Sequence, residues 1–263
     1  MLLLSRVKAI VLRDVTTIYE GERFPAIRDV DLEVDFGEFL CVVGPNGAGK
    51  TTLLETINGL LEADGLRLVL GFDVSRFKGR VRCEVGYVPQ DFMVDPLTPY
   101  LVRDVVLMGR FGKVGLLRSP TREDLEKVWE AMKVVGVEHL ANRPVGKLSG
   151  GQQQKVMIAR ALAKEPKILL LDEPLNHVDL NSRTEIMESL RVLHEKDGLT
   201  ILMVIHSLGE IPNWCKRVVL MNGGRIVCDG PPSEVFNSEA FRRIYKTLHG
   251  GVFVDSSPLI HPS

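Results

Sequence analysis

Long hydrophobic runs are missing from this 263-residue chain. A helical membrane span takes about 20 consecutive apolar residues, and stretches such as Ile168–Leu171 are far shorter. Met1–Leu4 has no basic residues ahead of it and falls well short of the roughly 7–15 apolar residues of a secretory signal, so a cytosolic chain is expected. Cysteine is scarce: Cys41, Cys83, Cys215 and Cys228 are scattered, with no CxxC pair. That gives no support to a zinc site or a redox motif and predicts reduced, mostly buried thiols. Neither sign of charge is in excess, with 33 Lys and Arg against 34 Asp and Glu for a net charge of −1. A dedicated nucleic-acid binder usually carries a basic surplus, so no nucleic-acid partner is expected. There is no internal repeat and no low-complexity block. The 45% hydrophobic and 25% charged content is ordinary for a globular protein, and the length suits one large domain or two small ones.

Patterning along the chain indicates an α/β protein. Arg6–Val15 alternates in part and predicts a strand. Ile27, Val30, Leu32 and Val34 fit one core face of a second strand. Phe36-Gly37-Glu38 is a turn, and the unbroken apolar run Phe39–Val43 is the mark of a strand buried on both faces. A Gly-rich turn at Gly44–Gly49 leads into a helix from about Lys50 to Leu61. Residues 62–90 read as short strands and turns, and 99–164 as mostly helical. Thr121-Arg122-Glu123-Asp124 resembles a capping box with Asp in place of Glu or Gln. Leu125, Val128, Trp129, Met132 and Val135 follow at helical spacing, predicting a core-facing stripe. Ile168–Leu171 and Thr200–Ile205 are further buried strands. Asn181–Lys196 is a polar-faced helix closed by Asp197-Gly198. Val218–Met221 and Arg225–Cys228 flank Asn222-Gly223-Gly224 as a hairpin. Pro231–Leu248 holds a short helix or two, and a loose tail is expected from Gly250. Buried strands alternating with helices imply a mainly parallel, three-layer sheet structure, with the helical stretch 95–150 inserted.

Three motifs carry chemistry. Gly44-Pro45-Asn46-Gly47-Ala48-Gly49-Lys50-Thr51 matches G-x-x-x-x-G-K-[ST] in full. Its glycines let consecutive backbone N–H groups approach a triphosphate, and the following helix adds its positive end. The Lys50 ammonium would reach the β and γ phosphates and the Thr51 hydroxyl a Mg²⁺ ion. Asp172 and Glu173 follow the buried run 168–171, at the carboxyl end of a strand where ligands of parallel sheets bind. Asp172 suits the Mg²⁺, and Glu173 an attacking water. Leu148-Ser149-Gly150-Gly151-Gln152 precedes a helix, Gln153–Ala163, and forms a second anion site. One nucleotide does not need two such sites on one chain, so this motif is expected to serve a nucleotide held by a second copy.

With LSGGQ lying between the phosphate loop and the two acids, the sequence resembles the ATP-binding cassette (ABC) family, over about Val7 to Leu248. The resemblance implies a P-loop NTPase (RecA-like) core with an N-terminal antiparallel β subdomain and an inserted helical subdomain. One ATPase domain would span 1–248: core about 1–94 and 165–230, helical signature subdomain about 95–164, C-terminal helices about 231–248, and a tail at 249–263. Tyr19 matches the aromatic residue that stacks on adenine, Gln90 the glutamine that senses Mg²⁺ and water and faces the membrane partner, Asp179 the aspartate that crosses the dimer interface, and His206 the histidine that contacts the γ-phosphate. The implied nucleotide contacts are Gly44–Thr52, including Thr52, together with Ser149, Gly150, Gly151 and Gln152 of the opposite copy. Lys50, Gln90, Glu173 and His206 are the implied catalytic set, and Thr51, Gln90 and Asp172 the Mg²⁺ set. Ile205 and Ser207 beside the histidine, and the stretch Leu175–Val178, depart from common family forms.

The mechanism so implied is ATP-driven closure of a head-to-tail homodimer, reopened by hydrolysis. A multi-span permease would dock near Gln90 and the helical insert, placing the chain on the inner face of the cell membrane, with a solute-binding protein as an indirect partner. Asp104–Arg110 and Arg143–Lys147 look most like importers of zinc or manganese. Iron–siderophore and cobalamin importers share similar wording, and a soluble ABC ATPase of cofactor assembly is the alternative from another class.

Overall fold

The computed structural model describes residues 8–90, 95, 97–115 and 117–248. Met1–Leu4 and the tail from 249 lie outside them. The elements in chain order are β1 (Lys8–Thr17), β2 (Ile27–Asp35), β3 (Phe39–Val43), α1 (Lys50–Ile57), β4 (Asp64–Val69), β5 (Phe72–Asp73), α2 (Val74–Glu84), β6 (Val85–Val88), α3 (Val102–Met108), α4 (Phe111–Val114), α5 (Arg122–Val134), α6 (Gly150–Leu162), β7 (Ile168–Asp172), α7 (Leu180–Asp197), β8 (Thr200–Val204), β9 (Arg217–Asn222), β10 (Arg225–Gly230), α8 (Pro232–Asn237) and α9 (Glu239–Leu248).

The continuous apolar runs form the centre of a six-stranded sheet ordered β10-β9-β3-β8-β7-β6. All neighbours in it pair parallel except the β9–β10 hairpin. Side-chain alternation explains why β3 is apolar throughout. Phe39, Cys41 and Val43 enter the core shared with α3, α5, α6 and α7. Leu40 and Val42 enter the core shared with α1 and a second, antiparallel sheet, β2-β1-β4-β5. The expected face of β2 is there: Ile27, Val30, Leu32 and Val34 are all buried. The architecture is thus an α/β P-loop core with an antiparallel β layer on one face and helices on the other.

Several elements differ from expectation. α1 stops at Ile57, short of Leu61, because the chain turns left-handed at Gly59 (φ +70°). Residues 74–84 form α2, where the sequence reads as short strands and turns. It buries only Val74 and Val81, so it carries little apolar periodicity, and its start is set by Asp73 accepting the Ser75 N–H at 2.9 Å. In α5, Val128, Met132 and the following Val135 are buried, but Leu125 and Trp129 are 46% and 43% exposed, so the core-facing stripe is narrower than the spacing implied. The capping box is present, with Thr121 and Asp124 bonding each other's backbone N–H. α6 begins at Gly150, not Gln153, with Ser149 as its N-cap. LSGGQ is therefore the helix start itself.

The helical layer is fastened by Arg110. Its guanidinium donates twice to Asp124 Oδ1 at 2.9 and 2.8 Å, to the Ala163 carbonyl at 3.0 Å and to Glu165 at 2.7 Å. One planar donor fork thereby joins the ends of α3 and α6 and the start of α5.

Candidate nucleotide site

The phosphate loop runs from β3 to α1 and is pressed between both sheets. A Cβ on Gly44 would collide with the Met221 carbonyl. One on Gly49 would lie 2.6 Å from Ile27 Cγ2 and 2.8 Å from the Ala26 carbonyl, and φ there is +96°. Only glycine fits at these two positions. Gly49 is also the N-cap of α1 and contributes no capping side chain, so the first N–H groups of α1 face the loop unblocked.

Lys50 folds back across the loop, donating to the carbonyls of Gly44 (2.9 Å) and Pro45 (3.1 Å). It is 6% exposed. Burial lowers its pKa, opposed by the charges of Glu173 and Asp172. Asp172, at the end of β7, is fully buried, and among the described residues neither carboxylate oxygen has a hydrogen-bond partner. Burial pushes its pKa from the ordinary 3.8 to about 6. Glu173 and Glu55 add to the rise, while the nearby Thr51 hydroxyl and the Lys50 ammonium oppose it. A buried oxygen pair without a donor, beside a hydroxyl and opposite a phosphate cradle, suits a hard divalent cation with oxygen ligands. The residues present therefore fit Mg²⁺.

Glu173 takes a left-handed backbone (φ +48°), uncommon for a residue with a side chain. Its Oε2 accepts from Gln90 Nε2 at 3.0 Å and from Asn176 Nδ2, so one oxygen is held by two donors. Tyr19 hydroxyl lies 3.1 Å from Thr52 Oγ1 and donates to Glu55 at 3.2 Å, which ties its ring to α1. Tyr19, Asn46–Thr52, Gln90, Glu173, Asn176 and His206 line an open cavity of about 650 Å³, whereas Gly44, Pro45 and Asp172 are not in its wall.

Ser149–Gln152 and Asp179 do not line it. Ser149 accepts the Gln152 N–H at 3.3 Å, and Gln152 Oε1 accepts the Ser149 N–H at 3.2 Å. Asp179 caps α7 through the Ser182 N–H at 3.0 Å, which holds its carboxyl below the usual value. The starts of α6 and α7 abut: a Cβ on Gly151 would lie 2.6 Å from Ser182 Oγ and 3.0 Å from Asp179 Oδ2. Sequence reasoning did not assign Asn176 a role. Its loop stood out as unusual, but the pairing with Glu173 is visible only once β7 and the loop are folded.

A parallel sheet carrying a phosphate loop, a strand-end acid pair and a detached helix-start motif defines a P-loop ATPase cassette. Residues 27–176 match the family model described as ABC transporter. The chain is 40% identical to the manganese transport system ATP-binding protein MntB of Bacillus subtilis over 89% of this chain and 91% of that relative. It is 36% identical to the phosphonates import ATP-binding protein PhnC of Rhizobium etli over 94% of this chain and 89% of that relative. A solved dimeric ATP-binding cassette in a post-hydrolysis state, with ADP and Pi bound, superimposes with a TM-score of 0.73 at 29% identity, covering 84% of this chain and 98% of that one. This chain belongs to the ABC transporter family. It is an ATP-hydrolysing subunit of that family. Among the described residues no helix is long and apolar enough to cross a membrane.

Proposed function

We propose that the chain hydrolyses Mg-ATP between two copies of itself arranged head to tail, and so drives import of a small solute through a separate permease. The reading rests on the way the polar groups divide. Lys50, Gln90, Glu173 and His206 line one cavity, while Ser149–Gln152 and Asp179 sit outside it on abutting helix starts. A second copy would bring those starts over the nucleotide. In this reading one ATPase domain spans 1–248, with its core at about 1–94 and 165–230, a helical signature subdomain at about 95–164 and C-terminal helices at about 231–248, followed by a tail at 249–263.

In this mechanism Lys50 exchanges the Gly44 and Pro45 carbonyls for phosphate oxygens, and the free N–H groups of Gly44–Thr52 bind the remainder. Tyr19 stacks on adenine. Asp172, Thr51 and Gln90 would hold Mg²⁺, which when bound would neutralise charge on the phosphate oxygens. Glu173, aimed by Gln90 and Asn176, takes the proton of the attacking water. His206 contacts the γ-phosphate, and Asp179 reaches across to the second copy. The decisive variant is Glu173→Gln. It should lower ATP turnover by at least about 100-fold and accumulate an ATP-dependent dimer in light scattering. Wild-type turnover, or a monomer at saturating ATP, would contradict the assignment.

The permease would dock beside Gln90, in a cleft of about 140 Å³ between β6 and the helices α2, α3, α4 and α6. Arg82, Lys113, Arg160 and Lys164 ring it. Burial lowers the Lys164 pKa, and the like charges of Arg160, Lys113 and Arg82 lower it further. Its ammonium donates to the carbonyls of Arg82 and Val85, at 3.0 and 3.1 Å. Such a cleft suits an acidic docking segment, which would hold the chain on the inner face of the membrane. The MntB relative supports manganese, or a similar ion such as zinc, as cargo. The PhnC relative supports the second reading, an organic phosphorus anion. Uptake assays with each solute in cells lacking the chain would separate them.

A further inference from the structure

Cys41 and Cys215 are 174 residues apart in sequence, yet their sulfurs lie 3.6 Å from each other. Cys41 is fully buried in the middle of β3, two residues before its end. Cys215 is 6% exposed in the segment before β9, and its sulfur also lies 3.1 Å from the Arg217 carbonyl. Neither thiol lines the nucleotide cavity. A disulfide needs the sulfurs about 2 Å apart, so closing this gap takes a shift of roughly 1.5 Å, within the reach of side-chain rotation.

The two thiols differ. Burial keeps Cys41 protonated, whereas the Cys41 S–H beside Cys215 makes the latter easier to ionise. Cys215 is flanked by Trp214 and the exposed Lys216. Those two residues, with Arg217 and Phe39, line a surface cavity of about 440 Å³ at the end of β3 away from the phosphate loop. A small reagent can therefore come within one residue of Cys215.

We propose that Cys41 and Cys215 form a modification site: an internal disulfide made when the folded chain meets a low-molecular-weight disulfide. The Cys215 thiolate attacks one sulfur of the reagent and releases the first small thiolate. Cys41 loses its proton and attacks Cys215 Sγ, releasing the second. The chain gives up two electrons and two protons, and the reagent leaves as two thiols. The bond fastens the segment that follows His206 to the strand that feeds the phosphate loop.

The test treats the folded, full-length chain with glutathione disulfide, blocks remaining thiols with N-ethylmaleimide after unfolding, and maps unreduced peptides by mass spectrometry. The expected result is a cross-linked peptide pair carrying Cys41 and Cys215, two hydrogens lighter than the separate peptides, with Cys83 and Cys228 blocked. Reductant abolishes it, and Cys215→Ala and Cys41→Ala each prevent it. The proposal is overturned if Cys41 and Cys215 are both recovered blocked, if Cys215 keeps a stable mixed disulfide with glutathione, or if the cross-link involves Cys83 or Cys228.

Discussion

Asn176 and Asp172 show how much of this site is decided by single polar atoms. Asn176 gives Glu173 a second donor on the same oxygen that Gln90 engages. A hydrogen bond to a charged group is worth about 1.5–3 kcal/mol. If Glu173 is the base proposed above, Asn176→Ala should therefore lower kcat about tenfold or more with KM for ATP held, because the bond that is lost is to Glu173. A rise in KM at constant kcat would assign it to binding instead. Asp172 sets a pH dependence. Its folded-state pKa, about 6, lies above its ordinary 3.8, so without metal this carboxyl favours the folded chain below pH 3.8, and that contribution is lost as pH rises towards 6. Mg²⁺ requires the ionised form, so its effect has the opposite sign. With a non-hydrolysable ATP analogue present, the melting temperature in Mg²⁺ minus that in chelator should grow from pH 5 to pH 7. A difference that stays flat over that range would remove Asp172 from the metal set. Residue identities made Lys50, Asp172 and Glu173 legible in advance because their motifs are contiguous. Asn176 was not, because its partner is defined by backbone strain at Glu173 and by a side-chain pairing that spacing does not encode.

At the scale of elements, apolar periodicity was a good guide wherever a segment is buried on a whole face. β3, β7 and β8 are buried at every position and read as unbroken apolar runs. It fails where burial is slight: α2 hides two residues and so shows no helical stripe, and on α5 Leu125 and Trp129 face outward although their spacing puts them on the apolar stripe. Local polar chemistry was more reliable there, since the Thr121–Asp124 box starts α5 as its spacing indicated. Thr121→Ala should cost about 1 kcal/mol, seen as a fall of about 2–4 °C in melting temperature. Asp124 has a second duty as the acceptor for buried Arg110, with side-chain exposures of 10% and 7%. Asp124→Ala removes the cap together with two of the guanidinium's hydrogen bonds, leaving it the Ala163 carbonyl and Glu165, and should cost more than the cap alone, about 2–3 kcal/mol. Equal losses for the two variants would mean that the ion pair adds nothing beyond the cap.

The whole molecule presents its charges unevenly despite a net charge of −1. The cleft beside Gln90 collects four cations, a concentration that composition hides because the residues come from three separate stretches of chain. Arg160→Glu with Lys164→Glu should abolish co-purification with the membrane permease while ATP turnover by the isolated chain is retained. Intact co-purification would place the docking surface elsewhere. The same lesson holds for the pairing of Cys41 with Cys215, which no local motif announces.

The phosphate loop itself is shaped from outside. Its wall is built by Ala26 and Ile27 of one sheet and by the hairpin of the other: the Gly224 N–H donates to the Ala48 carbonyl at 3.1 Å, and the Gly224 carbonyl accepts the Arg28 N–H at 2.8 Å. The eight-residue motif is in effect a casting whose mould is supplied by segments well away from it in sequence. Transplanted alone into another scaffold, the motif would lose the walls that bend it, so its curvature belongs to the two sheets as much as to its own eight residues.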